Sequence, residues 1–155
     1  MGVIVLVVGR AREAWVREVQ DKYRKFLAPL LPVEIVEIPE EKLPDPGRPE
    51  AALRKEAARI GARLKEGSRL VLMDAGGRAF DSLKFARWLE TRLGEGRPLV
   101  FLVGSATGVD EEVRRRADET ISLSPLTVPH DLARIVLLEQ IYRAMTIMRG
   151  KRYHY

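Results

Sequence analysis

Gly2-Val3-Ile4-Val5-Leu6-Val7-Val8 is the stretch that decides the fold, because its last six residues are all apolar and mostly β-branched. An apolar run without polar alternation indicates a strand that is covered on both faces. Such strands belong mainly to parallel sheets. A helix should therefore follow this strand.

The same alternation of strand and helix continues outward from this first strand. Further strands are predicted over 33–38, 69–73, 99–103 and 120–123. Helices are predicted over about 12–28, 52–64, 81–93, 110–117 and 131–148, with Gly67 placed to end the second of them. The spacing predicts one α/β domain over residues 1–155, built on an open, mostly parallel sheet with helices on both faces.

Composition excludes several classes of protein and site. The chain has 155 residues, 46% of them hydrophobic, which suits a single folded domain. It contains no cysteine, and its two histidines are His130 and His154, so thiolate and histidine-rich metal sites are excluded and we expect no metal. No signal peptide and no apolar run of about 20 residues is evident, which predicts a soluble cytoplasmic protein without a membrane segment.

The charge is concentrated toward the end of the chain. The net charge is +5, and residues 141–155 carry four cationic side chains and no acidic one. Tyrosines and a histidine are interleaved with these cations, a mixture that can neutralise phosphates and stack on bases. The alternative is a solvated basic segment without a partner.

Three segments after predicted strands are candidates for ligand binding, since ligands of open α/β sheets lie beyond the carboxyl ends of the strands. They are residues 73–77, 104–108 and 123–130. Glycines there permit positive φ and close approach of a ligand. The loop at Gly104 lacks both the G-x-G-x-x-G spacing and an acid about 20 residues on, which disfavours a nicotinamide dinucleotide. His130 is interpreted as a residue that fixes a turn, and Asp74 as a carboxylate held by backbone donors.

The final predicted helix is apolar around more of its circumference than one core stripe requires, so it should be buried on two sides. The simplest second partner is another copy of the chain, with Ile135, Leu138 and Met145 in the interface. The alternative is a central helix inside the monomer.

Several segments together resemble one family over essentially the whole chain. They are Val7-Val8-Gly9, Leu72-Met73-Asp74, Leu102-Val103-Gly104 with Gly108, Leu126-Thr127-Val128-Pro129-His130, Gln140-Ile141-Tyr142-Arg143-Ala144 and Tyr153-His154. The resemblance is to the RlmH family, SPOUT-class methyltransferases of large-subunit ribosomal RNA. It implies a SPOUT-type fold with a C-terminal trefoil knot, a homodimer, and methylation of N3 of a pseudouridine on the ribosome with S-adenosylmethionine as the methyl donor.

The resemblance also implies the site residues. Cofactor contacts fall on Met73, Gly104, Leu123, Ser124, Pro125, Leu126, Thr127 and Val128. On the substrate side, His154 and Arg143 are the catalytic candidates, and Arg152 and Tyr153 are expected to bind RNA. Ser105 stands where the family usually has a second glycine. Two alternatives stay open: His154 merely packs, or the protein is a non-catalytic RNA-binding module that uses its basic end.

Overall fold

The computed structural model describes residues 2–43, 45 and 47–150, and strands and helices alternate along them. The strands are β1 (Val3–Val8), β2 (Val33–Ile38), β3 (Arg69–Ala79), β4 (Leu99–Val103) and β5 (Glu119–Ser122). The helices are α1 (Ala14–Leu27), α2 (Glu50–Arg63), α3 (Ser82–Leu93), α4 (Glu111–Arg116) and α5 (His130–Met148).

The five strands form one sheet in the order β2-β1-β4-β3-β5, and every strand pair in it is parallel. The predicted α/β class with a parallel sheet is confirmed. Because β4, β3 and β5 are neighbours, their carboxyl ends meet at the same edge of the sheet. None of the helices described is long and apolar enough to cross a membrane.

Each face of the sheet carries its own hydrophobic core, which explains the apolar run that opens the chain. Val3, Val5 and Val7 of β1 pack in the core formed with α1, α3 and α5. Leu6 and Val8 point to the other face, where they pack in the core formed with α2 and α4. The prediction that β1 is covered on both faces is therefore confirmed.

Helix α5 is central to the monomer, and the prediction of a dimer interface at Leu138 and Met145 is wrong. Leu138 is fully buried and Met145 is nearly so, both in the core shared with α1 and α3. Two helices and the sheet cover most of α5 within one chain, and Leu132 and Val136 are the large apolar residues of this helix that stay exposed. Ile135, the third residue of the expected interface, is half-buried.

Strand β3 is longer than the predicted strand over 69–73, since it continues through residues 74–79. Its pairing with β5 shifts register between Met73 and Arg78. A Cβ atom on Gly77 would lie 2.7 Å from the backbone of Thr120, so this glycine allows the irregular strand to press against β5. The irregularity brings Asp74 and Ala75 to the carboxyl edge without ending the strand.

Other boundaries move by a few residues. Helix α2 ends at Arg63, and Gly67 lies in the turn beyond it with φ +79°, so the prediction that Gly67 ends this helix is wrong. Helix α5 begins at His130, one residue earlier than predicted. Helix α3 begins at Ser82, one residue later than predicted, and Asp81 caps it, because its side chain accepts a hydrogen bond from the amide of Lys84.

Candidate functional site

A cavity of about 480 Å³ opens at the carboxyl edge of the sheet, between the ends of β3 and β4 and the segment that follows β5. This volume lies within the range of sites for small molecules and cofactors. Seven of the eight predicted cofactor contacts line it: Met73, Gly104, Leu123, Ser124, Leu126, Thr127 and Val128. Pro125, the eighth, is not among the lining residues. The structure thus brings the predicted residues together, and their role in cofactor binding stays a prediction.

The turn after β4, residues 104–109, forms one wall of the cavity and is called the glycine loop below. A Cβ atom on Gly104 would lie 2.8 Å from Cγ1 of Val109 and 3.0 Å from the carbonyl oxygen of Gly108. Gly108 has φ +90°, and its amide donates to the carbonyl of Ser105 at 2.9 Å. Positive φ is therefore required at Gly108, whereas Gly104 is required because the loop folds back on itself.

Most of the cavity lining is apolar or backbone, and charged side chains occur on one side of it. Arg114 of α4 lies 3.5 Å from Asp74, whose other carboxylate oxygen accepts the amide of Gly76 at 2.9 Å. The interpretation of Asp74 as a carboxylate with a backbone donor agrees with this contact. Opposite, Ser124 Oγ accepts the amide of Leu126 at 3.0 Å, and the Leu126 side chain stands 77% exposed at the rim. No group of acids and histidines able to hold a metal occurs in the part of the chain that the structure describes.

A buried arginine supports the cavity wall at the start of α5. Arg134 is fully buried, donates to the carbonyl of Gly9 at 3.0 Å and to the carboxylate of Glu37, and lies 3.3 Å from Nδ1 of His130. The His130 ring lies against Gly9 and also lines the cavity. The ends of β1 and β2 and the start of α5 are therefore tied together. These contacts agree with the interpretation of His130 as a structural residue.

Glu37 is ionised in this network. Burial raises the pKa of its carboxyl, but the hydrogen bond from Arg134 and one from the amide of Ala11, at 2.6 Å, more than offset that rise and hold the pKa below its usual range. A charged Glu37 is the partner that a fully buried guanidinium requires.

The catalytic candidate Arg143 lies far from this cavity within the same chain. It is 13 residues beyond His130 on α5, a distance of about 20 Å along the helix axis. Its guanidinium donates to Glu139 at 3.0 Å, and Glu139 also accepts the hydroxyl of Tyr23 on α1 at 2.7 Å. Arg143 is not among the residues that line the cavity.

The end of α5 lies at the opposite edge of the sheet. Arg149 donates to the carbonyl of Leu30, in the connection that leads into the amino end of β2, at 3.2 Å. The remaining candidates, Arg152, Tyr153 and His154, follow this end and lie outside the described residues.

The burial of two charged residues near the cavity was not predicted from the sequence, although their spacing indicates buried positions. Glu56 lies four residues after Ala52 and four before Ile60, on the buried face of α2. Arg134 lies four residues before Leu138, on the buried face of α5. A charged residue at a core position of an amphipathic helix indicates a paired group.

Comparisons with known proteins place the chain in a family. The family model described as "Predicted SPOUT methyltransferase" matches residues 1–154. Proteins named Ribosomal RNA large subunit methyltransferase H are similar over nearly their whole length. The one from Gemmatimonas aurantiaca is 40% identical over 99% of both chains, and the one from Gluconacetobacter diazotrophicus is 43% identical over 97% of this chain and 95% of its own. The one from Caldicellulosiruptor saccharolyticus is 37% identical over 97% of both chains.

Among solved structures, the SpoU methyltransferase AviRb from Streptomyces viridochromogenes, in complex with AdoMet, is a distant likeness. Its sequence is 17% identical, and the TM-score is 0.46 over 97% of this chain and 59% of that chain. The assignment rests on the sequence matches, which extend over nearly the full length. This chain belongs to the SPOUT methyltransferase family.

Proposed function

We propose that this protein transfers a methyl group from S-adenosylmethionine to N3 of a pseudouridine in large-subunit ribosomal RNA, on the assembled ribosome in the cytoplasm. The observation that carries the proposal is the similarity, at 37–43% identity and over nearly the whole chain, to proteins named Ribosomal RNA large subunit methyltransferase H. It favours an enzyme over a non-catalytic RNA-binding module. The choice of N3 of a pseudouridine follows the resemblance to the RlmH family.

The cavity at the carboxyl edge suits S-adenosylmethionine. Its volume of about 480 Å³ is adequate, its lining is mainly apolar, and three backbone segments with few charges meet there. Met73, Gly104 and residues 123–128 would hold the adenosine through backbone groups and apolar contacts. When bound, this cofactor supplies an electrophilic methyl group on a positively charged sulfur.

Methyl transfer to N3 also requires that N3 lose the proton it carries. The N3–H group of a pseudouridine is only weakly acidic, so the protein has to remove or polarise its proton and align the nitrogen for in-line attack. In the proposal His154 accepts the proton directly or through water. Arg143 and Arg152 hold a phosphate or stabilise the charge that develops on the uracil ring, and Tyr153 contacts the RNA.

We propose that the protein acts as a homodimer, because the two sets of residues lie far apart along one chain. From Ala133, which lines the cavity, to Gly150 the helix axis advances about 25 Å. His154 is four residues beyond Gly150 and reaches at most about 14 Å further even when the chain is fully extended. Arg143 and the segment after Gly150 therefore serve the cavity of a second copy.

An exposed aromatic surface beside Arg143 is available for this second copy. Phe26 of α1 is 43% exposed, and its ring centroid lies 5.6 Å from that of Tyr142 on α5 and 6.0 Å from that of Tyr23. Tyr23 and Tyr142 are partly buried, so Phe26 is the exposed member of this cluster, and an exposed aromatic side chain of this kind favours an interface between proteins. We further propose that the C-terminal part of the domain forms the trefoil knot implied by the resemblance.

Methyl transfer from labelled S-adenosylmethionine to ribosomes, followed by mass spectrometry of the nucleosides, tests the proposed function. We expect one methylpseudouridine in large-subunit RNA from ribosomes that lack the modification, and none from ribosomes that already carry it. RNA binding without any transfer of label would favour the non-catalytic alternative. Label on another nucleoside would overturn the choice of substrate.

A further inference from the structure

A buried carboxylate lies behind the glycine loop, on a helix that contributes nothing to the cavity lining. Glu56 of α2 is 3% exposed. A buried carboxylate is costly unless hydrogen bonds compensate it, so its partners carry information about its role. Glu56 accepts the amide of Glu41 at 2.9 Å through Oε2 and the hydroxyl of Ser105 at 3.3 Å through Oε1.

Ser105 connects this carboxylate to the cavity. It is buried, it belongs to the glycine loop, and it is one of the residues that line the cavity. Its Oγ also lies 3.2 Å from Oγ1 of Thr107 and 3.3 Å from the carbonyl oxygen of Gly108. The Ser105 hydroxyl has one proton to donate, and a carboxylate is a stronger acceptor than a neutral carbonyl. Ser105 therefore donates to Glu56 in preference to the carbonyl of Gly108.

Glu56 is itself anchored on its other side. The carboxylate of Glu41 accepts from Arg59, one turn further along α2, at 2.6 Å, and Arg59 also donates to the carbonyl of Pro39 at 2.9 Å. These hydrogen bonds therefore hold the segment 39–41 against α2 close to Glu56. The glycine loop is joined to Glu56 through the side-chain hydroxyl of Ser105, which a glycine at position 105 would lack.

We propose that Glu56 is a positioning residue for the glycine loop, which it holds through Ser105 in the conformation that binds S-adenosylmethionine. The inference rests on the proposed function, since it concerns the affinity of the same cavity. Holding a loop in its bound conformation raises affinity because less ordering remains to be done when the ligand binds.

Calorimetry with S-adenosylmethionine tests the inference on three single variants and on the double variant that combines Ser105→Ala with Glu56→Ala. Ser105→Ala and Glu56→Ala should each weaken binding by about three- to tenfold, the effect of one lost hydrogen bond. The double variant should be little weaker than either single variant, because both remove the same contact. Glu56→Gln retains an acceptor oxygen and should bind within about twofold of wild type.

Asp118→Ala is the matched control. Asp118 accepts the amide of Leu70 at 2.8 Å, so it also joins a carboxylate to the backbone, but it does so at the amino end of β3, away from the cavity. This variant should lower Tm by an amount similar to the Glu56 and Ser105 variants and leave the affinity for S-adenosylmethionine unchanged.

The outcomes separate the inference from the proposed function. If wild type binds S-adenosylmethionine and Ser105→Ala binds it equally well, the positioning role is wrong and the function stands. Fully additive losses in the double variant would also overturn the role. If wild type does not bind, the proposed function fails and the inference fails with it. If Glu56→Ala does not fold, the affinities of Ser105→Ala and of the control Asp118→Ala for S-adenosylmethionine still test the positioning role.

Discussion

The two ends of helix α5 differ in what surrounds them. At its start, His130 lines a cavity that strand ends of the same chain complete, and Arg134 ties that end to β1 and β2. Toward its other end, the ring of Tyr142 packs against Phe26, and neither Tyr142 nor Arg143 lines that cavity. The start of the helix lines the cavity, whereas its second half packs in the core and presents only partly buried residues such as Tyr142 and Arg143 at the surface.

This difference indicates which end of α5 serves cofactor binding and which serves methyl transfer in the proposed function. Seven of the eight predicted cofactor contacts line the cavity of one chain at the first end, so binding of S-adenosylmethionine should need one chain only. Every predicted catalytic or RNA-binding residue lies at or beyond the second end, so methyl transfer should need two chains. Binding and catalysis can then be separated by experiment.

The largest effect is expected from deletion of residues 151–155, which removes His154, Arg152 and Tyr153 and leaves the cavity intact. The truncated protein should bind S-adenosylmethionine with wild-type affinity in calorimetry. It should methylate ribosomes at least about 100-fold more slowly, the scale of losing an acid–base group together with phosphate contacts. A truncated protein that methylates at nearly the full rate would contradict the role of this segment, and the proton acceptor would have to be sought at the cavity end.

A smaller but more specific effect is expected from mixing two inactive variants. Gly104→Val should lose cofactor binding, because the new side chain collides with the loop at Val109. Arg143→Ala should bind the cofactor and lack activity. Mixed dimers would combine an intact cavity with an intact Arg143 at one of their two sites, so a 1:1 co-refolded mixture should regain about a quarter of wild-type activity.

Each variant refolded alone is the control for this mixture. Activity no greater than the mean of the two controls would show that Arg143 acts on the cavity of its own chain or not at all. Light scattering on the same samples establishes whether dimers are present.

Much of the cavity end could be predicted from the sequence, because its signals are local. Apolar runs mark the buried strands, and glycines mark the turns at their ends, as at Gly104 and Gly108. The continuation of β3 could not be predicted, since it depends on contact between Gly77 and the backbone of Thr120, which is distant in sequence. Local patterns do not contain such a contact.

The buried face of α5 shows a different limit. Periodicity indicated correctly that Leu138 is covered, but it does not say whether the same chain or a second copy covers it. The structure assigns Leu138 to the core of the monomer. The expected partner surface therefore moves to exposed residues such as Phe26 of α1.

The smallest expected effect concerns two carboxylates near the cavity end, the buried Glu56 and the partly exposed Glu37, whose pKa values move in opposite directions. Burial raises the pKa of Glu56, and the hydrogen bonds from Glu41 and Ser105 offset only part of that rise. Hydrogen bonds from Arg134 and Ala11 outweigh burial at Glu37 and lower its pKa.

These directions fix the sign of two pH dependences. Ionised Glu37 stabilises the fold above about pH 4.5, and this contribution is lost as the pH falls through its lowered pKa. The folded state favours protonated Glu56, so charging this group costs stability as the pH rises above about 4.5. Measured as Tm from about pH 3 to 7, Glu37→Gln should become less stable relative to wild type as the pH rises, and Glu56→Gln should become more stable relative to wild type. If Tm depends on pH in the same way for both variants, Glu37 and Glu56 do not have the different environments that their hydrogen bonds imply, and the prediction is wrong.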